Sequence, residues 1–314
     1  QDRVIVSGDT DFGDLLAVVG DTLKIDPGLV EKDYWLMHTL WGLQQLGYTF
    51  ELKGGTSLSK GFGLIHRFSE DIDIHIDPPA GLLVGANHNK PQHIAARIAF
   101  YDDLAAKIKI AGIAKVERDT AFDDAKGRSG GIRLVYNPSK ATPAGVKEGV
   151  LLEAGFDQVA PNRACNISSW AHDHAIASGV KKLTDNRALN VACYEPGYTL
   201  VEKLQTVSTK YRQQQEAGGM PTNFMRHYYD IHCLLADPTV QAFIGTDAYR
   251  KHKDDRFRPQ DDKDITRNEA FILSDPAVRK IYAAEYASTS ALYYNGQPPF
   301  TDLLTRIKEN AARL

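Results

Sequence analysis

The feature that most constrains the fold is the strict alternation of polar and apolar residues in DIDIHI, residues 71–76, at the end of the segment SEDIDIHI. Successive side chains of a β-strand point to opposite faces, so the three isoleucines share one face. Asp71, Asp73 and His75 share the other, with the Cβ atoms of successive members roughly 7 Å apart. The sequence therefore predicts a half-buried strand whose polar face carries two aligned carboxylates.

Two carboxylates held side by side on a largely apolar strand predict a metal site. They repel each other unless a cation lies between them. Hard cations such as Mg²⁺ prefer oxygen ligands, and two Mg²⁺ ions about 3.5–4 Å apart are a common arrangement. Asp71 and Asp73 are therefore the predicted metal ligands. A solvated strand face is the alternative for this D-x-D pattern taken alone.

A glycine pair and a group of hydroxyls precede the strand in GGTSLSKG, residues 54–61. Glycine at a strand-to-helix turn lets the backbone approach a ligand, and free N–H groups at the start of a helix suit a phosphate. The predicted phosphate-binding residues are Gly54, Gly55, Thr56, Ser57 and Lys60. TSLSKGFGLIHR is predicted to form a short helix, weakened by Gly61 and Gly63. The alternative to a phosphate site is an ordinary helix after a tight turn, capped by Thr56 or Ser57.

The periodicity changes along the chain and indicates two domains. Helical spacing from Pro27, strand candidates from Gly130 and Gly149, and the strand described above predict an α+β domain over residues 1–160. Residues 161–314 are predicted to be mainly helical, with strands rare.

Composition limits the cellular setting. No apolar run approaches the ~20 residues that cross a bilayer, and three scattered cysteines fit neither a disulfide framework nor a zinc site. We therefore expect a cytoplasmic protein with no membrane partner. A net charge of −3 means that any nucleic-acid contact needs a local basic patch. The candidates are a predicted charged loop around Arg250 and the segment around Lys181, with a solvated surface as the alternative.

Several segments together resemble one family. The pattern GGTSLSKGFG…RFSEDIDI resembles the first motif of the AbiEii/AbiGii nucleotidyltransferase toxins, which include the MenT-type toxins and belong to the DNA polymerase β-like nucleotidyltransferase superfamily. LVEKDYW is similar to the family's amino-terminal helix. EPGYTLVEKLQTVSTKYR is similar to its E-K-L segment, whose lysine matches Lys203, and RHYYDIHCLL to its R-x-x-Y-D segment, whose aspartate matches Asp230.

The resemblance implies a fold and a set of roles. The fold is a polymerase β-like mixed sheet with flanking helices, followed by a helical domain that completes the active site. The implied catalytic residues are Asp71, Asp73, Lys203 and Asp230, and Lys203 also contacts the triphosphate. A solvated helix residue is the alternative for Lys203, and a structural partner of Arg226 or Lys203 is the alternative for Asp230. The superfamily usually adds a third acid from a later strand, and Glu153 in VLLEAGF lies where that acid is expected. A simple exposed acid is the alternative for Glu153.

Further expectations concern Ser69 and Arg67, which precede the D-x-D pair. In some relatives the serine that matches Ser69 is phosphorylated by a kinase-like antitoxin, which implies a regulatory site here. A hydroxyl at the start of a strand is the alternative. Arg67 either contacts phosphate or pairs with Glu70, and the sequence does not choose between them.

The implied enzyme transfers a nucleoside monophosphate from an NTP to an acceptor, using two Mg²⁺ ions or Mn²⁺, as the toxin of a toxin–antitoxin or phage-defence pair. RNA is the expected acceptor, with the tRNA 3′ end favoured, and a cognate antitoxin is the expected partner. Two alternatives stay open. One is a transferase of the same fold that modifies a protein hydroxyl or a small molecule. The other is a catalytically silent nucleotide-binding module.

Overall fold

The computed structural model describes residues 10–180 and 183–314. These residues divide into two compact units, which are residues 10–62 with 69–194, and residues 63–68 with 195–314. The sequence predicts a change of character near residue 160, whereas the sheet of the first unit continues to Tyr194.

The first unit contains a seven-stranded sheet within the described residues, in the order β3-β4-β5-β2-β1-β7-β6. Its strands are β1 (Phe50–Lys53), β2 (Asp71–Ile76), β3 (Ile113–Arg118), β4 (Ser129–Tyr136), β5 (Val150–Gly155), β6 (Asn162–Ile167) and β7 (Ala188–Tyr194). Its helices are α1 (Thr10–Leu23), α2 (Pro27–Gln45), α3 (Gly54–Thr56), which continues as a π-helical turn (Ser57–Gly61), α4 (Pro91–Lys107) and α5 (Trp170–Ala177). β2 runs parallel to β5, and β1 runs parallel to β7, while the other neighbours are antiparallel. The predicted mixed α+β fold is confirmed.

The alternating pattern of β2 is realised as predicted. Ile72, Ile74 and Ile76 are at most 4% exposed, while Asp71 and Asp73 are half-buried. Burial of this isoleucine row fixes which way the strand faces, because a shift of one residue would bury the acids instead. The polar face of β2 is therefore set by its own sequence.

Three strands of the sheet have no clear signal in the sequence. β3 and β6 are the two edge strands, and most of their side chains are exposed or half-buried. An edge strand has a pairing partner on one side only and needs few buried residues, so its sequence carries little alternation. β6 and β7 pair antiparallel and lie beyond residue 160, where strands were predicted to be rare.

The second unit is helical in the described residues. Its helices are α6 (Pro196–Ala217), α7 (Arg226–Leu234), α8 (Pro238–Phe243), α9 (Asp247–Arg256), α10 (Glu269–Ile272), α11 (Pro276–Ala287) and α12 (Phe300–Asn310). Its core contains a cluster of aromatic rings that includes Phe224, Tyr228, Tyr282 and Phe300. No helix in the described ranges is both long and apolar enough to cross a membrane.

The loop predicted over residues 249–264 is wrong in its first half, because residues 249–256 belong to α9, whereas residues 257–264 contain no helix or strand. Thr246 caps the helix by accepting a hydrogen bond from Tyr249 N, and the Tyr249 side chain is 2% exposed. One buried residue, Tyr249, among charged residues gives no amphipathic pattern, so the sequence does not indicate this helix.

Candidate active site

Three neighbouring strands bring Lys53, Asp73 and Glu153 side by side on one face of the sheet. Lys53 of β1 lies opposite Asp73 of β2, and Asp73 lies opposite Glu153 of β5. Residues directly opposite each other in a sheet point to the same face. All three line a cavity of about 210 Å³, together with Asp124 and Arg128 among others. The predicted third acid is therefore adjacent to the D-x-D pair in the sheet.

One oxygen of the D-x-D pair has no hydrogen-bonding partner. Asp71 Oδ1 is buried, and no donor within the described residues reaches it. Burying a carboxylate oxygen without a partner is costly, and a cation is a group that would satisfy it. Mg²⁺ is commonly held by one or two carboxylates together with substrate phosphates and water. Asp71, Asp73 and Glu153 therefore fit as oxygen ligands of a divalent cation.

A second group of potential metal ligands lies further along the same strand face. Glu51, His75 and Asp77 offer ligand atoms that all lie within 4.8 Å of one another, and no other group in the described residues meets this spacing. His75 Nδ1 lies 2.5 Å from Glu51 Oε2, so a hydrogen bond already accounts for this contact. Sequence reasoning placed His75 on the polar face but did not foresee its pairing with Glu51, because that pairing depends on the β1–β2 register.

The glycine turn packs against the D-x-D strand. Gly54 has a φ of +78°, a left-handed conformation that favours glycine, and a Cβ there would lie 3.7 Å from Asp73 Oδ2. Thr56 Oγ1 donates a hydrogen bond of 2.8 Å to the carbonyl oxygen of Asp71. Thr56 and Ser57 are at most 1% exposed. The turn is thus fixed to β2 by the Thr56 side chain, and the hydroxyls of Thr56 and Ser57 are buried in the protein interior.

The helix that follows the glycines is shorter than predicted. It ends at Gly61, where the backbone N–H of Phe62 bonds to Ser57 O and closes the π-helical turn. Gly63, with a φ of +64°, lies just beyond it. The predicted continuation to Arg67 is wrong, because two glycines destabilise a helix at this point. The half-buried Gly55 lies inside α3.

Two residues expected to act at this site are engaged within the first unit. Lys60 Nζ lies 2.8 Å from Asp33 Oδ1 and is stacked over the ring of Trp170 at 5.1 Å. Ser69 is 8% exposed, and its Oγ lies 3.1 Å from Thr56 Oγ1. Phosphate binding by Lys60 and phosphorylation of Ser69 stay predictions, and a kinase would need local opening to reach the Ser69 hydroxyl.

The second unit contains a buried charge cluster around Asp230. The Asp230 side chain is 0% exposed and accepts two hydrogen bonds from the guanidinium of Arg67, at 2.6 and 2.7 Å. Lys203 Nζ lies 2.9 Å from Asp230 Oδ2 and 3.3 Å from His227 Nδ1. Arg67 therefore pairs with Asp230 and not with Glu70, and a phosphate contact of Arg67 stays a prediction. Sequence reasoning missed this pair, because Arg67 and Asp230 are 163 residues apart.

The charges in this cluster control one another's protonation. Burial alone would raise the pKa of Asp230, but the charges of Arg67 and Lys203 outweigh it and hold that pKa below its usual range. Burial lowers the pKa of Lys203, and the charge of Asp230 opposes this shift. Asp230 therefore remains a carboxylate and acts as the counter-ion of two cations. The direct catalytic contact expected of Asp230 stays a prediction.

A buried lysine that sequence reasoning did not single out lies near the D-x-D pair. Lys32 of α2 is 1% exposed. Burial lowers its pKa to about 8, although the negative charges of Glu70 and Asp71 oppose this shift. Glu70 itself accepts a hydrogen bond from Lys147 N. The available signal was a run of three charged residues in LVEKDYW, within a segment whose apolar residues have helical spacing.

With this geometry established, comparison with known proteins identifies the family. A family model described as nucleotidyl transferase AbiEii toxin, Type IV TA system, matches residues 35–306. The chain belongs to the AbiEii nucleotidyltransferase toxin family. The match includes the glycine turn, the D-x-D strand, Glu153, Lys203 and Asp230. No curated protein and no solved structure gives a significant match to the chain.

Membership in the AbiEii family confirms the coarse functional expectation. This chain is a nucleotidyltransferase toxin of a type IV toxin–antitoxin system, which implies a nucleotide substrate and an antitoxin partner. Nucleotidyltransferases typically use divalent metal ions, and the oxygen ligands on the polar face of β2 suit this chemistry.

Proposed function

We propose that this AbiEii protein is a Mg²⁺-dependent enzyme that transfers a nucleoside monophosphate from an NTP to RNA, with the tRNA 3′ end as the favoured acceptor. The observation that carries the metal dependence is the buried, unpartnered Asp71 Oδ1 on the same strand face as Asp73, which lies opposite Glu153. Two Mg²⁺ ions are expected, and Mn²⁺ is expected to replace them.

The first unit supplies the groups for the metal and the phosphates. Asp71, Asp73 and Glu153 hold the metal, which neutralises charge on the reacting phosphates when it is bound. The backbone N–H groups of the glycine turn are the proposed phosphate donors, since Gly54 and Gly55 have no side chain to obstruct a ligand. The buried Thr56 hydroxyl holds the turn through its hydrogen bond to Asp71 O, whereas the buried Ser57 Oγ has no hydrogen-bonding partner in the described residues and stays a predicted phosphate donor.

The second unit supplies the proposed positive charge for the triphosphate. Lys203 carries this role by its match to the family segment, and its side chain is 10% exposed. Asp230 fixes the Lys203 ammonium and keeps it charged through their ion pair. We assign Lys203 the ligand contact, and Asp230 the positioning of Lys203.

The acceptor assignment rests on the family resemblance. The basic side chains of α9 offer limited support, because Arg250 pairs with Asp247 and Lys251 pairs with Asp255. Paired surface charges create a weak field for a phosphate backbone. An RNA contact at α9 stays a prediction, and the basic segment around Lys181 lies outside the described residues.

One experiment separates the acceptor classes. The purified protein is incubated with each α-labelled NTP, Mg²⁺ and total tRNA, and Asp71→Ala serves as the inactive control. Label in tRNA that is absent with Asp71→Ala and with a chelator supports the proposal. Label in protein or in a small molecule instead of tRNA would refute the RNA acceptor. The absence of NTP turnover under all conditions would favour the silent nucleotide-binding module.

Regulation and location complete the proposal. We propose that the protein acts in the cytoplasm and that its antitoxin limits nucleotidyl transfer. Phosphorylation of Ser69 is one route, because a phosphate there would add roughly −2 charge two residues from Asp71. Ser69 is 8% exposed, so this route requires the segment before β2 to open.

A further inference from the structure

Three consecutive charged residues in the amino-terminal half of α2 are buried. Glu31, Lys32 and Asp33 are each 1% exposed. Consecutive residues of an α-helix point roughly 100° apart, so the three side chains leave the helix in three directions. A buried charge is costly without a partner, and each of these residues has one.

The first two residues of this triplet hold the connection between β4 and β5. Glu31 Oε1 accepts hydrogen bonds from the backbone N–H groups of Ser139 and Lys140, at 2.8 and 2.9 Å. Lys32 Nζ donates to the carbonyl oxygen of Lys147 at 2.5 Å. Both contacts are to backbone atoms, so they fix the path of a connection that has no helix or strand of its own.

The third residue, Asp33, reaches the helical segment after the glycine pair. Its Oδ1 lies 2.8 Å from Lys60 Nζ, and its Oδ2 accepts a hydrogen bond of 2.8 Å from Trp170 N. The Trp170 ring covers the Lys60 ammonium at 5.1 Å. The Lys60 side chain is 16% exposed. The ammonium that was expected to contact phosphate is thus held by a buried carboxylate and an aromatic ring.

Lys60 lies in the π-helical turn Ser57–Gly61, which is anchored at its other side as well. A Cβ on Gly61 would lie 3.0 Å from Cys193 Sγ, so the turn is closely packed against β7. Just before the turn, Thr56 donates its hydrogen bond to Asp71 O. A continuous series of contacts therefore runs from α2 through the turn to the D-x-D strand.

We propose that Asp33 is a positioning residue for nucleotidyl transfer, which acts by holding Lys60 and so fixes the glycine turn beside Asp73. Lys60 is then an internal support of the turn and not a direct triphosphate contact. This inference deepens the proposed function and rests on it for its effect on activity. The structural part, that the Asp33–Lys60 pair rigidifies residues 54–61, does not depend on any substrate.

A double-mutant cycle tests the pair. The variants are Asp33→Asn, which keeps an oxygen for Trp170 N, Lys60→Met, which keeps the length of the side chain, and their combination. The control cycle uses Asp103→Asn and Lys107→Met, an ion pair of 2.7 Å whose side chains are 55% and 66% exposed. Amide hydrogen exchange of residues 54–61 without substrate gives the structural readout, and kcat and KM for NTP give the functional one.

The expected result is loss of protection confined to the turn. Asp33→Asn and Lys60→Met should each raise exchange in residues 54–61 about tenfold or more, since local opening becomes easier. Each should lower kcat/KM about 100-fold through misplacement of the turn. The double variant should be no worse than either single variant, because both remove the same interaction. The control cycle should change neither readout.

Three outcomes would overturn the inference. Unchanged exchange in both single variants would show that the pair does not hold the turn. A raised KM for NTP with Lys60→Met alone, while Asp33→Asn behaves as wild type, would make Lys60 a triphosphate contact. Additive losses in the double variant would show that the two residues act independently.

If a single variant does not fold, the charge-free double variant and Lys60→Arg, which keeps the pair, are compared with wild type by exchange. Equal protection in these two variants would also refute the inference. A wild-type protein without NTP turnover would refute the proposed function and leave the exchange result to be judged separately.

Discussion

Replacing Asp230 by Asn should strongly destabilise the second unit. The substitution preserves the size of the side chain but removes its charge. The cations Arg67 and Lys203 would then lose their common counter-ion. Water cannot replace it, because their side chains are only 3% and 10% exposed. Arg67 cannot release its proton in a protein, whereas burial already lowers the pKa of Lys203. Lys203 therefore has a way to relieve part of the penalty, and Arg67 does not.

The size of the loss follows from the burial of this cluster. Removing one partner of a buried ion pair typically costs about 3–5 kcal/mol. We expect about 3 kcal/mol for Asp230→Asn, because Asn keeps one hydrogen-bond acceptor for Arg67 and Lys203 can lose its proton. For a protein of this size that corresponds to a fall in Tm of roughly 5 °C. A loss of about 3 kcal/mol is a large fraction of a typical unfolding free energy of about 5–15 kcal/mol.

The effect should depend on pH in a defined direction. The pKa of Asp230 in the folded protein lies below its usual value, so this carboxyl stabilises the fold above its unfolded pKa of about 3.9. That stabilisation is lost as the pH falls through the lower folded-state pKa. The difference between wild type and Asp230→Asn should therefore be full at pH 7 and shrink at pH values below about 4.

Urea unfolding followed by far-UV circular dichroism measures this loss, since the second unit is helical. Asp261→Asn is the matched control in the same unit. The Asp261 side chain is 3% exposed, but its partner Arg212, at 2.8 Å, is 27% exposed and can turn to water. We expect about 1 kcal/mol for this control. An Asp230→Asn protein within about 0.5 kcal/mol of wild type at pH 7 would refute the assigned counter-ion role.

Three further predictions concern the first unit. Glu153→Gln should weaken Mn²⁺ binding about tenfold or more, measured by calorimetry, because it removes one charged oxygen ligand; unchanged affinity would remove Glu153 from the metal site. Gly54→Ala should cost about 1–2 kcal/mol in urea unfolding and reduce transfer, because its φ of +78° disfavours a Cβ and the turn packs on Asp73; wild-type stability would contradict the strain. Ser69→Asp should abolish transfer while Ser69→Asn retains it, since only Asp adds charge beside Asp71; equal activities would argue against a charge-based switch.

The sequence by itself determined the local geometry of the candidate site. Alternation in β2 decided which residues are buried, and so aligned Asp71 with Asp73. The left-handed backbone at Gly54 suits the residue that occupies it. These features depend on neighbouring residues and on the two-residue period of a strand, so they are readable from a short segment. Glu153 was identified from the family resemblance, which implies a third acid on a later strand, and its apolar neighbours indicated that strand.

The tertiary structure alone decided how the charged residues pair. Helical periodicity in α2 predicted the helix, but it could not show that its charged triplet is buried, because that depends on the connection and helices packed around it. Asp33 pairs with Lys60, and Arg67 pairs with Asp230, which is 163 residues away in the sequence. A charge in a sequence has many possible partners of opposite sign, and burial selects among them, since a desolvated charge requires a partner at hydrogen-bonding distance. Chain folding brings those atoms together, and no local pattern encodes that choice.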